Sequence, residues 1–279
     1  MRFIKMQGTG NDFVVVDGVS EQVDLDIIVP YANRICDRRF GIGSDGLIFV
    51  LPSRIADFRM RMFNPDGSEA EMCGNGTRCV ARFVYDHGLT DATSISLETL
   101  AGVKAMRLYV RGRSVEAVRV DMGAPSLRRS EIPMRGPDSD QVVDETIRVA
   151  GRKLRVTAVS MGNPHAVLFD VGADMTTVTS LGPLIEKHPR FPRRTNVQFA
   201  EVLSNTEVVL RTWERGAGVT LGCGTGACAT VVAGALSGRL NRRVTVHLLG
   251  GDLLVEWTGT NTVLMTGPAE EVFQGEYPL

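Results

Sequence analysis

The chain of 279 residues carries the same series of landmarks twice, at a spacing of 149 to 152 residues. GNDFVVVD in the first half corresponds to GNPHAVLFD in the second, and MCGNG corresponds to GCGTG. The paired positions are Asn11 and Asn163, Asn64 and Glu214, Cys73 and Cys223, and Gly102 and Gly251. A fixed order at a nearly fixed spacing indicates an internal duplication, so the fold must consist of two similar halves.

We place the halves at residues 1–123 and 124–267, joined by the Pro- and Arg-rich stretch 124–145. Short β-branched runs bounded by Gly, Pro, Asn or Asp predict many strands. Helices are predicted only at 27–40, 76–86 and 226–236, with Gly88 and Gly238 after the last two. The fold class predicted is α+β: two pseudo-symmetric domains, each a strand-rich mixed sheet around a central helix. Regular βαβ alternation is missing, which argues against a doubly wound sheet.

Composition excludes several classes of function. Of all residues 43% are hydrophobic and 23% charged, and the formal net charge is −1. This balance offers no basic surface for nucleic acid or an anionic membrane. There is no apolar run of the roughly 20 residues that a transmembrane helix needs, and no apolar core of a secretory signal near the N-terminus. We therefore expect a soluble, cytoplasmic protein with no membrane partner.

The five cysteines are an odd number and contain no C-x-x-C pair. A disulfide framework and a structural zinc site are both disfavoured, and no metal is expected. The stretch GIGSDG at residues 41–46 matches the G-x-G-x-x-G fingerprint of dinucleotide-binding proteins. That fingerprint requires a strand before it and a helix after it, whereas here the predicted order is reversed. Dinucleotide binding is therefore not expected.

Cys73 and Cys223 each stand in a Gly-rich turn directly before a helix of small residues. A helix N-terminus presents unpaired N–H groups and a partial positive charge, which stabilise a nearby anion. It also lowers the pKa of a thiol, so both cysteines are predicted to be reactive. The neighbouring glycines would let the backbone wrap around a substrate carboxylate.

Two thiols that reach one carbon atom could remove a proton from one face and return one to the other, inverting a stereocentre. Many enzymes use pyridoxal phosphate to stabilise the resulting carbanion, and that cofactor requires a Schiff-base lysine. The few lysines lie outside the Gly-rich and cysteine motifs. We therefore expect a reaction without a cofactor, assisted by N–H donors and by exclusion of water.

The sequence resembles the diaminopimelate epimerase family over nearly its whole length. The blocks that carry the resemblance are GTGNDFVVVD, FNPDGSEAEMCGNGTRC, VSMGNPHAV, TNVQF, WERGAG and CGTGACA. The resemblance implies interconversion of L,L- and meso-diaminopimelate on the lysine and peptidoglycan precursor route, without pyridoxal phosphate or metal. It also implies a homodimer, and a C-terminal segment 268–279 that packs back on the first half.

The resemblance also assigns roles to residues of this chain. Cys73 and Cys223 are the acid/base pair, and His165 and Glu214 bias their two pKa values. The substrate-binding residues that it implies are Asn11, Asn64, Gly74, Asn75, Asn163, Asn196, Glu214, Arg215, Gly224 and Thr225. Among these, Asn64, Asn196 and Arg215 are expected near the distal carboxylate of the substrate, and Glu214 near its distal ammonium group.

One position departs from the family pattern: Gly46 stands where some members have a glutamine that reaches the substrate. Two alternatives to a diaminopimelate epimerase are open at this point. One is a proline racemase or hydroxyproline epimerase, although these resemble C-G-H-G where this chain has Asn75 after Gly74. The other is a binding or redox-sensing protein that uses paired thiols without turnover.

Overall fold

A computed structural model of the chain describes residues 1–137 and 141–279. It divides into two compact units, one formed by Met1–Asp121 with Thr266–Leu279 and the other by Met122–Met265. The predicted joint at 124–145 includes residues 138–140, which lie outside the described residues. The predicted domain boundaries at 123 and 267 stay a prediction. Within the described ranges, no helix combines the length and apolar character needed to cross a bilayer.

The strands, in chain order, are β1 (Arg2–Gly8), β2 (Asn11–Asp17), β3 (Gly46–Leu51), β4 (Phe58–Phe63), β5 (Glu69–Ala70), β6 (Ser94–Thr99), β7 (Gly102–Arg111), β8 (Ser114–Asp121), β9 (Val142–Val149), β10 (Arg152–Ser160), β11 (Pro164–Leu168), β12 (Asn196–Ser204), β13 (Glu207–Glu214), β14 (Gly218–Thr220), β15 (Arg243–Leu248), β16 (Gly251–Trp257), β17 (Val263–Gly267) and β18 (Glu270–Glu276). The α-helices are α1 (Leu25–Ile28), α2 (Ala32–Cys36), α3 (Gly74–Asp86), α4 (Met175–Glu186) and α5 (Gly224–Leu236).

The two units repeat one strand order. In the first unit the sheet runs β18-β1-β2-β3-β4-β6-β7-β8. In the second it runs β9-β10-β11-β12-β13-β15-β16. Neighbouring strands from β1 to β7 pair in the order antiparallel, parallel, antiparallel, parallel, antiparallel. Neighbouring strands from β10 to β16 pair in the same order. The predicted fold class, a duplicated strand-rich mixed sheet around a central helix, is confirmed.

Helices α3 and α5 are the central helices of their units. Apolar side chains of β2 and β3 are buried along nearly their whole length, as expected for strands covered on both faces. α3 is buried from Gly74 to Ala81, and α5 from Gly226 to Gly234. Small residues in these stretches allow the helix backbone to approach the sheet closely.

Both central helices begin two residues earlier than predicted. Cys73 and Cys223 have extended backbones and occupy the N-cap positions. Their carbonyl groups accept the first helical hydrogen bonds, from Thr77 N at 2.8 Å and Ala227 N at 2.9 Å. Gly88 and Gly238 adopt positive φ angles of 71° just after the helices, as predicted from their position. The cysteines are therefore part of the helix ends, and not of loops that precede them.

The prediction of one helix at 27–40 is wrong. α1 ends at Ile28 and is followed by a 3-10 turn, Val29–Tyr31, that contains Pro30. Proline has no N–H group, so it interrupts the hydrogen-bond ladder of a helix. α2 then ends at Cys36, where the Asp37 carboxylate accepts the N–H groups of Arg39 and Phe40, both at 2.7 Å, and closes a turn.

Helix α4 was not predicted from the sequence. Asp174 caps its N-terminus by accepting the N–H group of Thr177 at 2.9 Å. The helix contains Gly182 and Pro183, which weaken any prediction from helix propensity. Gly182 is needed there because a Cβ atom would lie 2.6 Å from the Trp213 ring. α4 stands between β11 and β12, the same place that α1 and α2 take between β2 and β3.

Candidate active site

In the first unit, the N-terminus of α3 brings Cys73 together with two predicted site residues. The Cys73 sulfur accepts the Gly76 N–H at 3.5 Å and lies 3.6 Å from Asn11 Oδ1. Asn75 Nδ2 donates to the same Asn11 oxygen at 3.4 Å. Gly76 packs closely on β3, because a Cβ atom there would lie 2.9 Å from the Ile48 side chain, which would have to shift. Asn11, Cys73 and Asn75 thus form one contiguous group.

Asp45 fixes the orientation of the Asn11 side-chain amide. Asn11 Nδ2 donates to Asp45 Oδ2 at 2.5 Å, and a carboxylate can only accept. Arg38 holds Asp45 in place by donating to its other oxygen at 2.8 Å. The Asn11 carbonyl oxygen is therefore the end that faces Cys73.

An ion cluster supports this arrangement. Asp12 is paired with Lys5 at 2.7 Å and with Arg38 at 2.6 Å. Burial raises the pKa of Asp12, but hydrogen bonds from Arg38 and Lys5 outweigh it and hold the pKa at about 2. Asp12 therefore stays ionised under all ordinary conditions.

In the second unit, the N-terminus of α5 holds Cys223 in a deeply buried position, with 5% of the residue exposed. Its sulfur accepts the Gly226 N–H at 3.3 Å and lies 3.6 Å from Thr225 Oγ1. Gly224 begins the helix, as Gly74 does in the first unit.

The prediction of a lowered thiol pKa is wrong for Cys223. Burial raises the pKa of this thiol well above its ordinary value, and the negative charge of Glu214 raises it further. The hydroxyl of Thr225 and the N–H of Gly226 act in the opposite direction but do not compensate. Loss of solvation is the largest of these influences on the pKa of the Cys223 thiol.

Removing the charge of Glu214 should make Cys223 easier to ionise. We expect Glu214→Gln to lower the pKa of the Cys223 thiol, because the amide keeps the shape of the side chain without its repulsion of a thiolate. At any pH below the wild-type pKa, the variant should then contain more thiolate. The measurement is a pH titration of the 13Cβ chemical shift of labelled cysteine, with Cys223→Ala to assign the signal. An unchanged or higher pKa in Glu214→Gln would contradict this assignment.

His165 lies in the same unit and is completely buried. Burial and the positive charge of Arg215 lower its pKa to about 3, so the imidazole is neutral. Its Nε2 atom lies 2.9 Å from Asn163 Oδ1, and Asn163 Nδ2 donates to Thr225 Oγ1 at 3.3 Å. His165, Asn163, Thr225 and Cys223 are therefore joined in one hydrogen-bonded series.

The remaining predicted residues of this unit lie at the start of β12 and at the end of β13: Asn196, Glu214 and Arg215. Asn196, at the start of β12, accepts the Arg215 backbone N–H at 2.9 Å and donates to the Pro164 carbonyl at 2.9 Å. Glu214 accepts a hydrogen bond from the Thr220 hydroxyl at 2.5 Å. Asn196 thereby holds the backbone of the Glu214-Arg215 pair next to the strand that carries His165.

Two predicted positions in the first unit lie outside the group around Cys73. Asn64 stands in the turn after β4, where its amide donates to the Ser68 hydroxyl at 3.0 Å. Gly46, the departure from the family pattern, is buried at the start of β3. A Cβ atom there would lie 3.0 Å from the Phe63 carbonyl and 3.1 Å from the Met62 side chain. The local packing therefore leaves little room for any larger residue at position 46.

A family model described as diaminopimelate epimerase matches residues 3–128 and 157–272, which is most of the chain. The chain belongs to the diaminopimelate epimerase family. The diaminopimelate epimerase of Moorella thermoacetica is 58% identical over 280 residues, covering 100% of both chains. That of Pelotomaculum thermopropionicum is 56% identical over 278 residues, covering 100% of this chain and 99% of the relative. The predicted family and enzyme class, an isomerase of the diaminopimelate epimerase family, are confirmed.

Solved structures of other isomerases share the fold. A probable proline racemase from Agrobacterium radiobacter K84, crystallised with carbonate, has a TM-score of 0.71 at 16% identity, covering 100% of this chain and 93% of that chain. At such low identity the likeness shows the fold alone. This likeness therefore does not support the alternative of a proline racemase. The amino-acid sequence matches the diaminopimelate epimerase family along most of the chain.

Three residues that hold the site together were not predicted from the sequence: Asp45, which contacts Asn11, Gln198, which contacts His165, and Thr212, which contacts Gln198. Gln198 Nε2 lies 3.1 Å from His165 Nδ1, and the Thr212 hydroxyl donates to Gln198 Oε1 at 2.7 Å. One signal could have found Gln198: it stands two residues after Asn196 in a strand, so both side chains must lie on one face. Among the described residues, no group of three or more His, Cys, Asp or Glu is placed to hold a metal ion.

Proposed function

We propose that this chain interconverts L,L- and meso-diaminopimelate by proton transfer at the α-carbon, with Cys73 and Cys223 as the two acid/base groups. The observation that carries the proposal is that both cysteines cap a buried helix, in a chain whose full length matches diaminopimelate epimerases. One thiolate removes the α-proton, and the other thiol delivers a proton to the opposite face. In the reverse reaction the two roles exchange, as microscopic reversibility requires.

The α-carboxylate of the substrate is proposed to bind at the helix N-termini. Gly74 with Asn75 and Gly224 with Thr225 stand at the two helix N-termini, where backbone N–H groups carry partial positive charge. Such groups favour an anion, and they favour it more as negative charge develops on the carboxylate during proton removal. This electrostatic support takes the place of an electron-withdrawing cofactor in the proposal.

The distal amino acid head of the substrate is proposed to select diaminopimelate over smaller amino acids. The Arg215 guanidinium can bind its carboxylate through two parallel hydrogen bonds, and the Glu214 carboxylate can accept from its ammonium group. The backbone hydrogen bond from Arg215 to Asn196 supports this role for Asn196, because it fixes where the Arg215 side chain starts. Asn64 is proposed to add a further polar contact at the same carboxylate.

The test of this function is direct. We expect the purified, reduced protein to convert L,L-diaminopimelate into the meso isomer until the two reach equilibrium, as followed by chiral chromatography. L-proline, offered under the same conditions, should remain unchanged because it has no distal head to bind. Racemisation of proline, or absence of the meso isomer at high enzyme concentration, would overturn the proposal. A protein that only binds diaminopimelate would give the second result together with a binding signal in calorimetry.

Three further properties are proposed: the homodimer on the family resemblance, the location on the composition of the sequence, and the boundaries on the duplicated landmarks. The protein acts as a homodimer, works in the cytoplasm, and consists of duplicated halves with boundaries near residues 123 and 267. Sedimentation equilibrium should give twice the mass of one chain, and cell fractionation of the source organism should place the activity in the cytoplasmic fraction. A monomer at micromolar concentration, or activity in the envelope fraction, would contradict the respective property.

A further inference from the structure

We propose that Gln198 is a positioning residue that sets the direction of hydrogen bonding from His165 through Asn163 and Thr225 to the Cys223 sulfur. The inference deepens the proposed function, and its importance for catalysis rests on that function. No part of it depends on a bound ligand, because each contact lies within the second unit of the structure.

The Gln198 amide is held in one orientation at the buried end of this series. Gln198 and His165 have no exposed surface, and 3% of Thr212 is exposed. The Thr212 hydroxyl donates to Gln198 Oε1 at 2.7 Å, which leaves Gln198 Nε2 to face His165 Nδ1 at 3.1 Å. Gln198 also packs against the first turn of α5, where a Cβ atom on Gly226 would lie 2.6 Å from Nε2. The side chain is therefore fixed by packing as well as by hydrogen bonds.

The orientation of Gln198 determines which nitrogen of His165 carries the proton. An amide NH2 group can only donate, so Nδ1 must accept and must be unprotonated. A neutral imidazole has one N–H, which is then at Nε2. Nε2 lies 2.9 Å from Asn163 Oδ1, and the imidazole donates this bond.

The same direction continues to the sulfur. Because the Asn163 oxygen is occupied by His165, its Nδ2 faces Thr225 and donates to the hydroxyl oxygen at 3.3 Å. The Thr225 hydroxyl is then left to donate its own hydrogen toward Cys223, whose sulfur is 3.6 Å away. Each donor in the series thus points toward the sulfur, an arrangement that favours a thiolate over a thiol.

The groups around Cys223 act on its ionisation in both directions. Burial and the carboxylate of Glu214 disfavour a thiolate, and Cys228 adds a smaller effect in the same sense. The Gly226 N–H and the Thr225 hydroxyl favour it. Arg215 is the charged group that acts on His165, and it helps to keep the imidazole neutral. If Gln198 were replaced by a residue without an N–H group, the Nε2–H tautomer would lose its support and Thr225 could instead accept from the Cys223 thiol.

The experiment compares Gln198→Met, which removes both polar atoms at similar volume, with wild type. Thr212→Ser is the matched control, because it keeps the hydroxyl that holds Gln198. Long-range 1H–15N NMR reports the tautomer of His165, which is one of four histidines in the chain. A titration of 13Cβ-labelled cysteine reports the ionisation of Cys223, and neither measurement requires turnover.

We expect a pure Nε2–H tautomer of His165 in wild type and in Thr212→Ser, and a mixture of tautomers in Gln198→Met. The thiolate fraction of Cys223 at a given pH should fall roughly three- to tenfold in Gln198→Met, the effect of losing one hydrogen bond to the sulfur. In the epimerase assay, kcat should fall with it while KM changes little. An Nδ1–H tautomer in wild type, or unchanged His165 and Cys223 signals in Gln198→Met, would overturn the inference.

The two proposals fail in different ways. If wild type does not epimerise diaminopimelate but the NMR signals change as expected, the proposed function is wrong and the positioning role of Gln198 holds. If wild type is active but Gln198→Met keeps the wild-type tautomer and titration, the positioning role is wrong and the function holds.

Discussion

Replacing either Cys73 or Cys223 by alanine is expected to lower kcat for epimerisation about 10²- to 10⁴-fold, the range typical of a lost general acid or base. The loss should appear in both directions of the reaction. In the proposed mechanism each thiol serves as base in one direction and as acid in the other, so neither direction is expected to proceed without both. The measurement is the initial rate from L,L- and from meso-diaminopimelate, with circular dichroism to verify that each variant is folded.

The chain offers matched controls in the same two helices. Cys79 lies in α3 and Cys228 in α5, and both thiols are completely buried. They lie inside the helices Gly74–Asp86 and Gly224–Leu236, and not at the N-termini where the substrate is proposed to bind. Cys79→Ala and Cys228→Ala should cost about 1 kcal/mol of stability each and leave kcat close to wild type. If Cys73→Ala and Cys223→Ala were as active as these controls, the acid/base assignment would be wrong.

The second large effect is expected for Gly226→Ala, which should reduce kcat by about 10²-fold. The new Cβ atom would lie 2.6 to 2.8 Å from the Gln198 amide, which is buried and held by two hydrogen bonds. Gln198 or the first turn of α5 must then move, and that turn donates the Gly226 N–H to the Cys223 sulfur. Overpacking should cost about 1–3 kcal/mol of stability, of which helix propensity returns about 1 kcal/mol.

Gly234→Ala separates the effect on the site from the effect on stability. Gly234 lies in the same helix, and its Cβ atom would lie 2.4 Å from the Leu240 side chain. This variant should lose stability by a similar amount but keep the specific activity of its folded fraction. The comparison requires thermal unfolding and kcat on the same preparations. Equal losses of specific activity in both variants would show that the first turn of α5 has no special role.

The duplication was the most informative part of the sequence, because it constrained residues far apart in the chain. Asn11 and Asn163, matched by their similar motifs and by spacing, are found at the corresponding antiparallel hairpins of the two units. Cys73 and Cys223 are likewise found at equivalent helix N-caps. Short β-branched runs bounded by turn residues predicted the strands, and together with the duplication they predicted the fold class.

The same duplication could have revealed helix α4, since it is the counterpart of the helical region before GIGSDG. It was missed because Thr, Gly and Pro have low helix propensity, and packing against Trp213 overrides propensity at Gly182. The break at Pro30 was missed because the helix was predicted from the residues at its two ends. Proline within it lacks the N–H group of the helical ladder and clashes with the preceding turn.

Other features depend on long-range contacts that no local pattern encodes. The raised pKa of the Cys223 thiol results from burial and from Glu214, which belongs to a different element. Similarly, Asp45 sets the orientation of the Asn11 amide from 34 positions away. His165, which contacts Gln198, sets the orientation of the Asn163 amide. A helix-end motif predicts where a thiol lies, but its ionisation depends on everything that surrounds it.

The central claim is that two different groups exchange protons with the two faces of one carbon atom. Its most direct test is the epimerisation of L,L-diaminopimelate in D2O, stopped in the first few per cent of reaction and examined by mass spectrometry. We predict that the meso product carries one deuterium at the inverted carbon, because the acid thiol delivers a deuteron from solvent. The remaining L,L substrate should carry none, because the base thiol holds the abstracted proton and returns that same proton when the step reverses. Product that retains the original proton, or substrate that becomes labelled as fast as product forms, would contradict the account.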